Sequence, residues 1–179
     1  MKRQNALAGL IAIILLFGGS TLFGQSASQK AEFVVDLIKQ FEWPEGKGAN
    51  GDGAIVITVV GESPLTATLK QEAEKRSAGG KKIEVKTMAV GDDFTTSQIV
   101  FIGTKELPEL AQILKKLKGL PVLTVSDANN FAGFGVIVDF IKDDSGGNKL
   151  TFAVNKMAAK EVGLKVSPDF VKQAKKTYG

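Results

Sequence analysis

Apolar positions along the chain follow two rhythms, one of strands and one of helices. Ala54–Val60 (AIVITVV) is nearly all apolar and β-branched. Such a run predicts a strand covered on both faces, as in parallel sheets. Ile83–Met88 alternates apolar with polar residues and predicts a half-exposed strand nearer a sheet edge. Ile99–Ile102 and Pro121–Val125 predict two further buried strands. Helical spacing lies around and between them. Val34, Leu37, Ile38 and Phe41 fall at i, i+3, i+4 and i+7 and predict a helix over Lys30–Phe41. Trp43–Pro44 ends it, because a residue before proline avoids helical geometry. Leu65, Leu69 and Ala73 line a second helix, with Ser63 as its cap, Pro64 at its first position and Gly79–Gly80 as its stop. Leu107, Leu110, Ala111, Leu114 and Leu117 mark a third, halted at Gly119.

The rhythm changes after that. Val136–Ile141 and Leu150–Val154 read as strands joined by a stretch dense in turn formers, which predicts a hairpin. Asn155 can cap a short helix ending at Gly163. Ser167–Pro168 opens a last helix with Phe170, Val171, Ala174 and Tyr178 inward. The expected fold is α/β: a mostly parallel sheet covered by helices on both faces, with an added antiparallel β-hairpin.

The N-terminus carries a different pattern. Lys2 and Arg3 precede an uncharged apolar run, Ala6–Phe17, and small residues from Gly18 to Thr21 come after it. Basic, apolar, small is the order of a secretory signal peptide. The run is short for a spanning helix, which needs roughly 20 apolar residues. The reading is a signal peptide over residues 1–28, cleaved after Gly24 or Ser28, and one α/β domain over 29–179. Without Lys2 and Arg3 the 23 basic and 19 acidic side chains stand at 21 to 19. The basicity of the whole chain is thus partly a targeting feature, and no nucleic-acid partner is expected. Lys115–Lys116–Lys118 and Lys172–Lys175–Lys176 read as solvated helix faces.

The chain has no His and no Cys. That removes an imidazole base, a thiolate nucleophile, a Ser–His–Asp triad, a disulfide, a lipidated cysteine and any His- or Cys-based zinc or haem site. Asp92–Asp93 and Asp143–Asp144 are paired carboxylates beside glycines and read as solvated turns. They lack the spaced ligands of a calcium loop. Gly61–Glu62–Ser63–Pro64 has no phosphate-binding glycine pattern and reads as a helix cap. No catalytic residue, metal or cofactor is expected.

Candidate chemistry concentrates in Leu123–Gly135, where a strand ends in Ser126–Asp127 and enters an Asn-rich loop with Phe131, Gly133, Phe134 and Gly135. Ligands in open α/β sheets bind beyond the carboxyl ends of strands, and short polar groups beside aromatics suit a small-molecule or peptide pocket. Equally, Ser126 and Asp127 can satisfy loop backbone while Phe131 and Phe134 enter the core.

Ala31–Glu32–Phe33 with Phe41–Glu42–Trp43–Pro44 resembles the opening helix of YfiR-like periplasmic proteins. Val56–Gly61 with Glu62–Ser63–Pro64, then Ile99–Ile102, resemble their first and third strands. Gly119–Asp127 with Phe131 and Gly135 is similar to their most distinctive segment, and Phe152–Gly163 to the strand and short helix beyond it. The resemblance runs from Gln29 to the C-terminus. It implies an α/β domain, often a homodimer, without enzymatic activity. It also implies a repressor that binds an inner-membrane diguanylate cyclase, or a histidine kinase, from the periplasm and lowers cyclic-di-GMP and biofilm formation. With no domain expected after Gly179, the chain would act in trans. Family members can carry disulfides; with no cysteine here, redox control is not expected. Trp43, Pro44, Ser126, Asp127, Phe131, Gly133 and Gly135 are the candidate partner- or ligand-binding residues. The alternative is a periplasmic small-ligand sensor with its pocket at the Ser126–Phe131 loop.

Overall fold

A run of β-branched residues loses little by being extended and gains most when both faces are covered. Strand β2 (Ile55–Val60) sits accordingly in the interior of a sheet. The computed structural model describes residues 21–47, 53–128, 130–142 and 150–179, with 21–26 as backbone only. Before β2 come helix α1 (Thr21–Asp36) and strand β1 (Phe41–Glu42); after it come α2 (Thr66–Glu74), β3 (Ser77–Ala78), β4 (Lys81–Met88), β5 (Ile99–Ile102) and α3 (Leu107–Leu117). The C-terminal half adds β6 (Leu123–Ser126), β7 (Val138–Ile141), β8 (Thr151–Asn155), α4 (Lys156–Glu161), β9 (Lys165–Val166), α5 (Pro168–Gln173) and β10 (Lys176–Tyr178).

Eight strands form one sheet in the order β10-β8-β7-β6-β5-β2-β4-β3, and β1 pairs with β9 in a separate ribbon. Neighbours from β7 to β4 are parallel, β7–β8 is the antiparallel pair expected from sequence, and β10 runs parallel to β8. Period-two alternation divides the side chains between two cores. Ile55, Ile57, Val59, Ile99, Phe101, Leu123, Val125 and Phe140 face α1, α2 and α5. Val60, Val100 and Ile102 face the Leu110, Ile113 and Leu117 stripe of α3. Helices therefore cover both faces. No helix among the described residues is long and apolar enough to cross a membrane.

Several expected boundaries move for identifiable reasons. The first helix ends at Asp36, passing into a 3-10 turn over Leu37–Lys39. Its expected last residue, Phe41, pairs with Val166 instead. α2 begins at Thr66, because Ser63 accepts from the Leu65 N–H (3.1 Å) and holds a turn ahead of the helix. Gly79–Gly80, expected to stop α2, instead forms the two-residue turn between β3 and β4; both have positive φ. The last helix stops at Gln173, and Tyr178 lies in β10, where it pairs with Asn155. Asn155 caps α4 as expected, accepting from the Ala158 N–H at 2.8 Å. The apolar run Ala6–Phe17 and the carboxylates Asp143 and Asp144 lie outside the described residues.

Two substitutions separate core from surface. Ile57, fully buried, should cost about 2–5 kcal/mol as Ile57→Ala, by lost transfer energy and a residual cavity. Arg76 joins α1 to α2 through Glu32 (2.8 Å) and Asp36 (3.0 Å) at the surface. Arg76→Ala should cost about 1 kcal/mol or less. Urea unfolding of both variants checks this; equal losses would refute it.

Candidate functional site

In open α/β sheets the ligand crevice lies where the strand order reverses, here between β2 and β5. Backbone fills that place. The Gly103 N–H donates to the Val60 carbonyl at 2.8 Å, and a Cβ on Gly103 would stand 2.7 Å from the Glu62 carbonyl oxygen. Open space lies further along the sheet, at the β6–β7 connection.

That connection is fixed from below by polar side chains on the α3 face. Ser126 and Asp139 are neighbours in the β6–β7 ladder, and both are fully buried. The Ser126 hydroxyl donates to Asp139 Oδ1, and the Ala132 N–H donates to Oδ2 at 3.4 Å. Asn155 Nδ2 donates to the Ala132 carbonyl (2.8 Å) while its Oδ1 caps α4, so one side chain positions both segments. Thr124 Oγ1 accepts from the Ile137 N–H at 3.0 Å. The result is a 3-10 turn, Phe131–Phe134, flanked by left-handed Asn130 (φ 89°) and Gly135 (φ 108°). The turn sends Phe131 and Ala132 into the core and leaves Phe134 55% exposed.

The candidate residues separate into two groups. Ser126, Asp127, Phe131, Gly133 and Gly135 surround this turn. Trp43 and Pro44 lie at the β1–β9 ribbon, where Trp43 is buried edge-on to Phe41 and Pro44 lies against Gly163. Asp127 is tied to Lys30 of α1, whose Nζ is 2.8 Å from both carboxylate oxygens. Gly133 lies 3.5 Å from the Tyr178 ring, measured from where its Cβ would be. The paired carboxylates serve the loop after β4: Asp92 accepts from the Ala89 N–H and Asp93 from the Thr95 N–H and hydroxyl. Lys116, expected as a solvated cation, donates to the carbonyls of Val90, Gly91 and Asp92 at 2.6–2.9 Å above the Phe94 ring.

Beside the turn runs an apolar groove of about 490 Å³. Its walls are Leu114 and Leu117 of α3, Val122, Ile137, and Ala158 and Val162 at α4. Phe134 and Gly135 form one rim, and Lys118 and Glu161 supply its charges. Met157, next to Ala158, is 58% exposed. The groove thus opens on the Gly135 side of the turn, whereas Ser126, Asp127 and Phe131 engage groups of the fold itself.

The profile of one family, described as YfiR/HmsC-like, matches residues 27–175. This chain belongs to the YfiR/HmsC-like family. The membership points to a periplasmic regulator connected with diguanylate cyclase signalling. Among solved structures, the fold is similar to that of an ABC domain from Streptococcus pneumonia crystallised with L-Trp, at 14% identity and a TM-score of 0.56. The match covers 85% of this chain and 60% of that one. The YfiR/HmsC-like chain therefore spans under two thirds of that protein, and the likeness is one of fold.

Burial pushes the Asp139 carboxyl above its ordinary range, against the hydrogen bonds from Ser126 and backbone N–H groups that pull it down. A raised folded pKa means that the folded chain binds this proton more tightly than the unfolded chain. Its stabilisation is complete below the unfolded value of about 4 and is lost as pH rises through the folded value. Asp139→Asn should remove a downward slope of stability that begins near that pH. Urea unfolding across a pH series reads this; superimposable slopes for variant and wild type would refute it.

Proposed function

We propose that the chain is exported, loses its N-terminal segment, and works in the periplasm as a non-enzymatic repressor that binds a membrane diguanylate cyclase or a similar sensor such as a histidine kinase. In this reading it lowers cyclic-di-GMP and biofilm formation. Family membership over residues 27–175 carries the reading. Two features support it. Cleavage after Gly24 would trim α1 ahead of Ala27, Ala31, Val34 and Val35, by which that helix packs on the core, and cleavage after Ser28 would remove Ala27 alone of these. The apolar groove, with Phe134 exposed on its rim, offers what a protein partner recognises: an aromatic anchor beside an apolar cleft.

Deleting the gene should raise cyclic-di-GMP, and the exported chain should restore the wild-type level while a chain lacking residues 1–28 should not. Phe134→Asp should keep wild-type stability within about 0.5 kcal/mol, as an exposed substitution, yet weaken capture of the cyclase by about 30-fold, the scale of an interface hot spot. Cyclic-di-GMP that does not change on deletion, or full rescue by the leaderless chain, would refute the reading.

The groove volume also lies within the range of small-molecule sites. That favours, as a second reading, a small-ligand sensor whose ligand sets partner affinity. A metabolite that raises the melting temperature of the wild type but not of Phe134→Asp would support it.

A further inference from the structure

The chain has three methionines and no cysteine. Thiol oxidation is closed to it, and its only sulfur atoms are thioethers. They are placed very differently. Met1 leaves with the N-terminal segment in the exported reading. Met88 is half-buried at the end of β4 and packs against the α3-face core. Met157, on α4, is exposed. Its contacts give the position a consequence. Gly179 lies against the Met157 side chain: a Cβ on Gly179 would press on Met157 Cγ and stand 3.0 Å from Sδ. The preceding residue, Tyr178, pairs with Asn155 of β8. The Tyr178 hydroxyl donates to Asn130 Oδ1 at 3.2 Å, and the ring lies against Gly133. One thioether thus backs the Tyr178–Gly179 segment, and that segment backs the turn that carries Phe134. Met157 also stands next to Ala158 and one helical turn before Glu161, so it continues the α4 wall of the groove.

We infer that Met157 is an oxidation site, taking one oxygen atom from a two-electron oxidant such as hypochlorous acid, and that its sulfoxide releases Tyr178–Gly179 from the turn beside the groove. In this step Sδ gains one oxygen and loses two electrons. The chlorine of the oxidant takes both electrons and leaves as chloride, and the proton of the acid passes to water. A flexible apolar side chain becomes a polar, chiral one. The S–O group is a strong acceptor that is costly to hold against an apolar surface without a donor. It turns toward water, and Gly179 loses the surface it lay on. A dithiol reductase returns the thioether and removes the oxygen as water. The missing cysteines therefore rule out a disulfide switch but leave a thioether one. The inference goes beyond the regulator reading. Its readouts are mass and amide exchange, so it can fail while cyclic-di-GMP control stands.

The test treats the exported, processed protein with hypochlorous acid at less than one equivalent. Peptide mass spectrometry should find one added oxygen on Met157 about tenfold sooner than on Met88, following exposure. Amide exchange over Lys176–Gly179 should then quicken by about tenfold, while exchange in β2 stays as it was, the mark of a local opening. Met157→Leu keeps an apolar side chain of similar volume and should exchange as the untreated wild type does, with or without oxidant. Met157→Gln, polar but without sulfur, should show the faster exchange with no oxidant at all. Met88 oxidised first, exchange over Lys176–Gly179 unchanged by oxidation, the same quickening in treated Met157→Leu, a Met157→Gln that exchanges as the wild type does, or a β2 that loosens together with β10 would each overturn the inference.

Discussion

A sheet buried on both faces has no solvent side on which to place a charge. Any carboxylate in its interior strands must be neutralised or fully hydrogen-bonded. Asp139 sits in β7 under this constraint, with no exposed surface. Its partners, the Ser126 hydroxyl and the Ala132 backbone, belong to the end of β6 and to the turn after it. The need to satisfy one buried group thereby becomes a positioning device. It draws the Phe131–Phe134 turn down onto the sheet, and the turn sets where Phe134 stands and where the groove opens. Asn155 carries the same logic into α4. Without disulfides, such polar anchors and the two apolar cores are what specify one arrangement of loops.

Much of the architecture was legible because it is periodic. The β-branched run of β2, the amphipathic stripe of α3 and the Asn155 cap each carry a local signal that tertiary packing agrees with. The short pieces were not legible. β1, β3, β9 and β10 are two or three residues long, too few for any period, and exist because a distant segment supplies the ladder. Tyr178 read as a helical residue for this reason: apolar spacing continues past Gln173, but pairing with β8 wins. Within the site, Ser126 and the loop aromatics stood out as residue types, whereas their partners did not. Lys30 is 97 positions from Asp127, and only folding brings them together. Asp139 did leave a trace, a lone carboxylate in Val-Ile-Val-Asp-Phe-Ile; an isolated charge in a buried strand marks a partner to be found.

The strand order separates the molecule's two surfaces. The groove lies over β6 and β7 on the α3 face, while the open edge of β4 lies on the far side of β5 and β2. A partner seated in the groove therefore stands clear of that edge.

The brevity of β10 has a further consequence. That end of the sheet is three residues long, with Tyr178 turned toward Asn130 and Gly133. Such a stub offers little template for another chain. Strand addition at that end is thereby discouraged, which guards against fibre growth in a protein that has no cysteine cross-link to hold its strands.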